Sequence, residues 1–306
     1  IVYSDATKGW LPVSDDAVAD VGVNTAATQR AIFGFGNAGG SYVSLTNLVN
    51  SSGVVAADVT GVGTARDYIS AAGYGRDKAL FGYGAGPTSI TNLVSNLGVV
   101  AADTAGVGTA KERPGACGYG GDKAIFAYGY LSGGVSTSNL VTNEGVAGAD
   151  ITGVGTARYD LAAVSYGEDK GIFGYGSGVT NITNLVNSSG VISADVTGVG
   201  TARANLSACS YGGDKAVFGY GLGYSITNKV SNTGVVAADT TGVGTARQGT
   251  AAAGYGGDKG IFAYGYSGGD VSYKNLINNS GNASADATGV GTARYLLAAA
   301  GYSQTA

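Results

Sequence analysis

The 306-residue chain contains no histidine and no methionine, and only two cysteines, three prolines and one tryptophan. Without histidine, the commonest general base and the commonest metal ligand are both missing. The cysteines, Cys117 and Cys209, occupy the same place in two separated segments, GACGYGGDK and SACSYGGDK. A disulfide between them is therefore not expected, and each reads as a small core residue in an alanine slot. Charged residues are only 12% of the chain and the net charge is −4, which offers no basic surface for phosphates and argues against nucleic acid as a partner. No apolar run approaches the roughly 20 residues of a spanning helix, and no charged-then-apolar signal segment opens the chain, so no membrane insertion is expected. The absence of methionine, with isoleucine at position 1, reads as a mature or ordered part of a longer product.

What the chain has in quantity is glycine, 56 residues, alongside 44% apolar residues. That combination fits many short strands joined by tight turns, an all-β class. The string TGVGTAR at 60–66 recurs five more times with little change, and its second glycine stands at Gly63, Gly108, Gly155, Gly200, Gly244 and Gly291. Steps of 44 to 47 residues mark one supersecondary unit copied in series, each unable to bury its apolar face without its neighbours. Residues 1–20 fall outside the period and read as a leader or linker from a preceding segment; the array fills 21–306 as one domain.

In the copy at 248–294, four strand-like segments follow one another: TAAAGYG, KGIFAYG, YKNLINN and NASADATGVGTAR. Four antiparallel strands per period predict a propeller blade. The second strand, counted by Phe33, Phe81, Phe126, Phe173, Phe218 and Phe262, predicts six blades. The first strand has a seventh candidate, YLLAAAGY after the last TGVGTAR, so residues 296–302 are expected to pair with residues 30–36 and close the ring, leaving no open inner edge.

Charges also repeat. Asp58, Asp103, Asp150, Asp195, Asp239 and Asp286 recur in the fourth segment, which ends at Arg66, Lys111, Arg158, Arg203, Arg247 and Arg294. Asp-Lys pairs follow the first strand. All are read as turn caps and ion pairs between blades.

A blade ending in TAR, followed by a small apolar strand and then an aromatic-and-glycine strand such as GIFGYG, resembles a kelch repeat, although GYG or AYG stands where twin glycines are expected and the blade tryptophan is missing. The strings TNKVSNTGVVAADTTGVGTAR and AAAGYGGDKGIFAYG are similar to repeats in structural proteins of tailed phages of aquatic bacteria. The leader IVYSDATKGWLPVSDD looks like connecting segments of phage tail fibres. This resemblance implies a virion or extracellular setting, other virion or fibre subunits as partners, and contact with a host surface.

Catalysis finds little support. The carboxylates come one per repeat, not as a close acid/base pair, and no serine or cysteine has a base to activate it. One aspartate per glycine-rich turn is too few for calcium, and GVG lacks the Lys-Ser/Thr of a phosphate loop. No enzyme activity, cofactor or metal is expected. The copper-oxidase ligand set of some kelch-like propellers has no counterpart.

The informative signal is what varies. Links between the second and third strands, and the triplets after each TAR or its equivalent (DYI, ERP, YDL, ANL, QGT, YLL), emerge on one face of a four-stranded blade, whereas the other face is nearly constant. Eleven of 20 tyrosines are repeat residues; of the rest, all but Tyr3 lie in these links. Tyr42, Tyr68, Tyr130, Tyr159, Tyr224, Tyr266, Tyr273 and Tyr295, together with Arg113, are thus the candidate binding residues. Tyrosine amid serine, glycine and asparagine is the composition of adaptable recognition loops, and the expected ligand is a host-surface glycan or protein. A purely structural spacer, and an enzyme with a site in the channel, are the alternatives.

Overall fold

A computed structural model describes residues 2–5, 9–11 and 28–306. Every regular element among them is a β-strand, in small antiparallel sheets of two or three strands. Val2–Asp5 pairs with Gly9–Leu11. The expected linker after residue 11 and the first residues of the array, through 27, lie outside the described residues.

Six three-stranded sheets carry the repeats. Their first strands are Ser70–Tyr74, Gly115–Tyr119, Ala162–Tyr166, Ser207–Tyr211, Ala251–Tyr255 and Ala298–Tyr302. The second strands are Lys78–Gly82, Lys123–Tyr130, Lys170–Gly174, Lys215–Gly219, Lys259–Ala263 and Arg30–Gly34. The third strands are Thr91–Val94, Gly134–Val141, Thr183–Val186, Thr227–Val230, Lys274–Ile277 and Thr46–Val49. A short ribbon, Asn37–Ala38 with Ser41–Tyr42, stands between the last two strands of the sheet that begins at Arg30. Ala298–Tyr302, from the far end of the chain, pairs with Arg30–Gly34 in the register Ala300 to Ile32.

The expected fourth strand differs. The outer segment pairs with the third strand at isolated bridges, such as Thr46 with Val59 and Val49 with Val55, and forms no continuous ladder. The reason is chemical. Its glycines and exposed small residues leave little side-chain surface to hold a ladder, and its aspartate is drawn toward the neighbouring repeat, as described below.

Packing between sheets explains the second-strand pattern. The alternation of the first strands, buried at every other residue, turns one face to the neighbouring sheet. Second strands are buried along almost their whole length, and each phenylalanine crosses to the preceding sheet. Phe218 meets Tyr175 edge-on at 5.2 Å, and Phe33 meets Tyr264 at 5.3 Å, so the first and last repeats make the same contact as the interior ones. A Cβ on Gly174 would lie 2.9 Å from the Phe218 ring, so this glycine makes room for the crossing ring.

The cysteines fill alanine slots, as expected, and both are buried and free. Burial pushes the Cys117 thiol up to about 12 and raises that of Cys209 as well. Each faces a glycine where the sibling repeats have alanine. Cys117 lies against Gly171 and Cys209 against Gly260, whereas Ala72 shares its cluster with Ala124 and Ala253 with Ala31. The larger sulfur on one strand is matched by a smaller residue on the next.

Candidate functional site

The repeated charges form a clasp between neighbouring repeats. Asp103 accepts from the Thr64 backbone amide at 3.0 Å, from the Thr64 hydroxyl at 2.6 Å and from Asn92 Nδ2 at 2.8 Å. Arg66, three residues from the start of this turn, donates Nη2 to Asn92 at 2.7 Å and Nε to the Tyr83 carbonyl at 2.7 Å, with its guanidinium over the Phe35 ring. The same set joins Asp195 to Thr156, Asp239 to Thr201, Asp286 to Thr245, and Asp58 to Thr292. Asp150 is bound in the same way by Thr109. Arg158, Arg203, Arg247 and Arg294 repeat the roles of Arg66.

Hydrogen bonds, more than ion pairs, hold these aspartates: the arginine contacts that reach them are 3.7–4.0 Å long. The central partner is a buried asparagine in the third strand (Asn47, Asn92, Asn139, Asn184, Asn228, Asn275), fully enclosed in every repeat. Sequence reasoning missed it, although a polar residue recurring inside TNLV was a visible signal. The arginine bond also explains GYG. Tyr220 has φ +63°, a backbone form costly for a large side chain, and its carbonyl accepts Arg203 Nε at 2.7 Å while Arg247 lies over its ring. The Asp-Lys pairs, by contrast, lie within their own turns, as Asp214 with Lys215 at 2.8 Å.

The variable links come together at the other end of the first strands. Asn37 pairs with Tyr42 and bridges to Tyr295, Glu112 bridges to Tyr130, and Gln248 to Tyr266. Arg113 is the hub of one cluster. Its guanidinium stacks on Tyr68 at 3.7 Å, with Tyr159 at 5.5 Å and Tyr130 at 5.8 Å. Nη1 reaches Asp160 at 3.2 Å and Nε reaches Glu112 at 3.3 Å. Tyr130 and Tyr159 meet edge-on at 5.0 Å. A second pair, Tyr266 and Tyr295, lies 5.5 Å apart. The long loops of the neighbouring repeats also touch, Gly39 donating to Asp270 Oδ2 at 2.7 Å. Tyr42, Tyr224 and Tyr273 are exposed and stand outside these ring contacts among the described residues.

Electrostatics distinguish this cluster from the clasps. Burial raises the Asp160 carboxyl despite Arg113 beside it. Burial likewise raises Asp67, with Asn37 opposing and Glu112 adding to the rise. Asp67 is buried and its Oδ1 has no protein partner. Against its own burial, Arg113 is held above its usual value by Asp160, Tyr68 and Glu112.

A cup of about 120 Å³ opens among the links, lined by corresponding residues of all six repeats. Its rim, in spatial order, is Leu296, Tyr68, Arg113, Asp160, Asn205 and Gly249. Tyr68 N donates to Leu296 O, Arg113 N to Tyr68 O, Asn205 N to Asp160 O, Gly249 N to Asn205 O and Leu296 N to Gly249 O, at 2.9–3.0 Å. Of the rim residues, Tyr68 and Arg113 carry the expected signal; Asp160, Asn205 and Leu296 were missed, though comparing the link triplets column by column exposes them. Below the cup, a smaller cavity of about 90 Å³ is lined by the six first strands, chiefly their alanines, glycines and cysteines with Val164, Ser165 and Ser210. No group of three or more His, Cys, Asp or Glu side chains suited to a metal ion occurs among the described residues, and among them there is no helix long and apolar enough to cross a membrane. Among known proteins, the chain matches no family model and no curated sequence.

Proposed function

We propose that the chain is a non-catalytic binding module, a six-bladed kelch-like propeller closed by its last strand, each blade having three laddered strands and a bridged outer segment, whose variable face recognises a host-surface glycan or protein. The observation that carries this reading is the gathering of Tyr68, Arg113, Tyr130 and Tyr159, and of Tyr266 and Tyr295, on one face of an otherwise uniform array. The cyclic set of first-strand neighbours and the pairing of Ala298–Tyr302 with Arg30–Gly34 support the propeller. Thr28 lies beside Gly257 and Lys259 at the turns of the opposite face, and the Ala306 carbonyl accepts from Arg30 there. The virion or tail-fibre setting rests on the resemblance of the repeat strings.

The test is binding of the labelled chain to bacterial cells, with Tyr42, Tyr224, Tyr266 and Tyr273 changed together to alanine. Binding should be lost while the melting temperature stays nearly constant. Retention of full binding by this variant and by one with Asn205 and Leu296 changed to glycine sinks the reading.

One observation favours a second reading, a structural assembly module. Leu97, Val99, Val191 and Val235 are all at least 60% exposed at the turns after the third strands. Such recurring apolar tips suit packing against other subunits.

A further inference from the structure

Resting on the recognition reading above, we infer that the cup at the centre of the variable face is a pocket for one neutral pyranose ring, the terminal residue of a glycan. Three observations point there. At the rim position immediately preceding the Ile, Pro, Leu or Thr that leads into each first strand, six equivalent sites carry six different residues: Tyr68, Arg113, Asp160, Asn205, Gly249 and Leu296. No such diversity occurs in the clasps of the same array. All six have left-handed backbone, φ +50° to +60°, where glycine is the undemanding choice. Yet a chain with 56 glycines uses glycine at only one of them. Tyr68, Arg113 and Leu296 are therefore kept against the local backbone preference, while Asp160 and Asn205 are the types that tolerate it, and strain of this kind at a variable position points to contact with a ligand.

The chemistry around the cup is graded. Arg113, Asp160 and Asn205 form a continuous polar arc, with the hydroxyls of Ser207 and Thr250, 2.7 Å apart, beneath it. Leu296 and Leu297 line the opposite side, where Gly249 leaves the wall low. A ligand filling this space needs donors and acceptors on adjacent atoms along one edge and a C–H surface along the other, which describes a sugar ring. The cup's 120 Å³ is smaller than the cavity of about 150 Å³ that encloses benzene, so the open cup seats one edge of a pyranose ring and leaves the rest at the rim. Anionic ligands are disfavoured because Glu112 and Asp160 already flank the one guanidinium.

Methyl α-glucopyranoside, methyl β-galactopyranoside and methyl α-mannopyranoside, titrated into the intact chain and followed by calorimetry and saturation-transfer NMR, test the proposal. At least one should bind in the millimolar range. Asn205→Gly and Leu296→Gly copy the natural Gly249, so each should keep or raise the melting temperature while weakening that pyranoside by about tenfold or more. Binding of none of the three, or binding unaffected by both variants, overturns the inference, as does binding of methylammonium in their place. Cell binding that survives Asn205→Gly and Leu296→Gly but is lost in the loop-tyrosine variant overturns the cup and leaves the recognition face standing. Insensitivity to both sets sinks the recognition face as well.

Discussion

Thr292 donates its hydroxyl to Asp58 at 2.6 Å across 234 residues of sequence, the same bond that Thr156 gives Asp195 across 39. The contact between the two ends of the array is therefore chemically the same as the contacts inside it. Arg294 completes it, reaching Asn47 at 2.6 Å and the Phe35 carbonyl at 2.9 Å.

Equal chemistry predicts equal cost. Asp58→Ala and Asp195→Ala should each destabilise by about 2 kcal/mol, the scale of a charge-assisted hydrogen-bond set, measured by urea denaturation. A loss at Asp195 with none at Asp58 would show that the long-range contact contributes nothing.

Acid should weaken all six clasps together. Burial opposes ionisation of Asp58, Asp103, Asp150, Asp195, Asp239 and Asp286, but the threonine and asparagine bonds and the nearby arginine or lysine outweigh it and hold each carboxyl below its usual value. A depressed folded-state value means the stabilisation is complete above the unfolded aspartate value of about 3.9 and is lost as pH falls through the lower folded value. Melting temperature should fall steeply below about pH 4. Thr→Val changes at the clasp threonines should flatten that slope; an unchanged slope would assign the acid sensitivity elsewhere.

The cysteine and glycine partners should be coupled. A Cβ on Gly171 would sit 2.5 Å from Cys117 Sγ, so Gly171→Ala should cost about 1–3 kcal/mol by overpacking. With Cys117→Ala in the same chain, the pair becomes the Ala72 and Ala124 arrangement and much of that cost should return. A double-mutant cycle showing coupling below about 0.5 kcal/mol would refute the compensation.

Lys111 stands where the five sibling clasps have arginine. Its Nζ reaches the Thr137 carbonyl at 3.2 Å and Asn139 at 3.1 Å. Burial pushes its value down to about 8, with Asp150 only partly opposing. Between that value and the ordinary lysine value of about 10.4, the unfolded chain binds more protons, so this residue makes stability rise with pH. Lys111→Arg stays charged across the window and should remove the rise. The difference between the two proteins' denaturation midpoints, followed from pH 7 to 10, should therefore change with pH; parallel curves would contradict it.

Most of the strand order was legible because its determinants are local. Alternation in AAAGY, the turn glycines of YGGDK and the buried run of KAVFG each act within a few residues, and the surplus AAAGY at the chain's end named its own partner strand. Tyr68 and Arg113 were visible as departures from repetition. Asp160 and Asn205 were missed, because a single small polar residue in a link looks like any exposed loop residue until the six triplets are set side by side; that they share one rim is a tertiary fact.

The sequence by itself determined the period, the all-β class, three of the strands in each repeat and the face on which variation accumulates, since these follow from patterns confined to one repeat. Only the tertiary structure decided that the outer segment forms bridges instead of a fourth ladder, that Asp103 answers Thr64 and Asn92 in preference to an arginine, and that the six link residues meet around one cup. The physical reason is degeneracy. Six nearly identical copies of TGVGTAR offer six equally good partners to every aspartate, and no local propensity chooses among them; the packing of each phenylalanine onto the preceding sheet does.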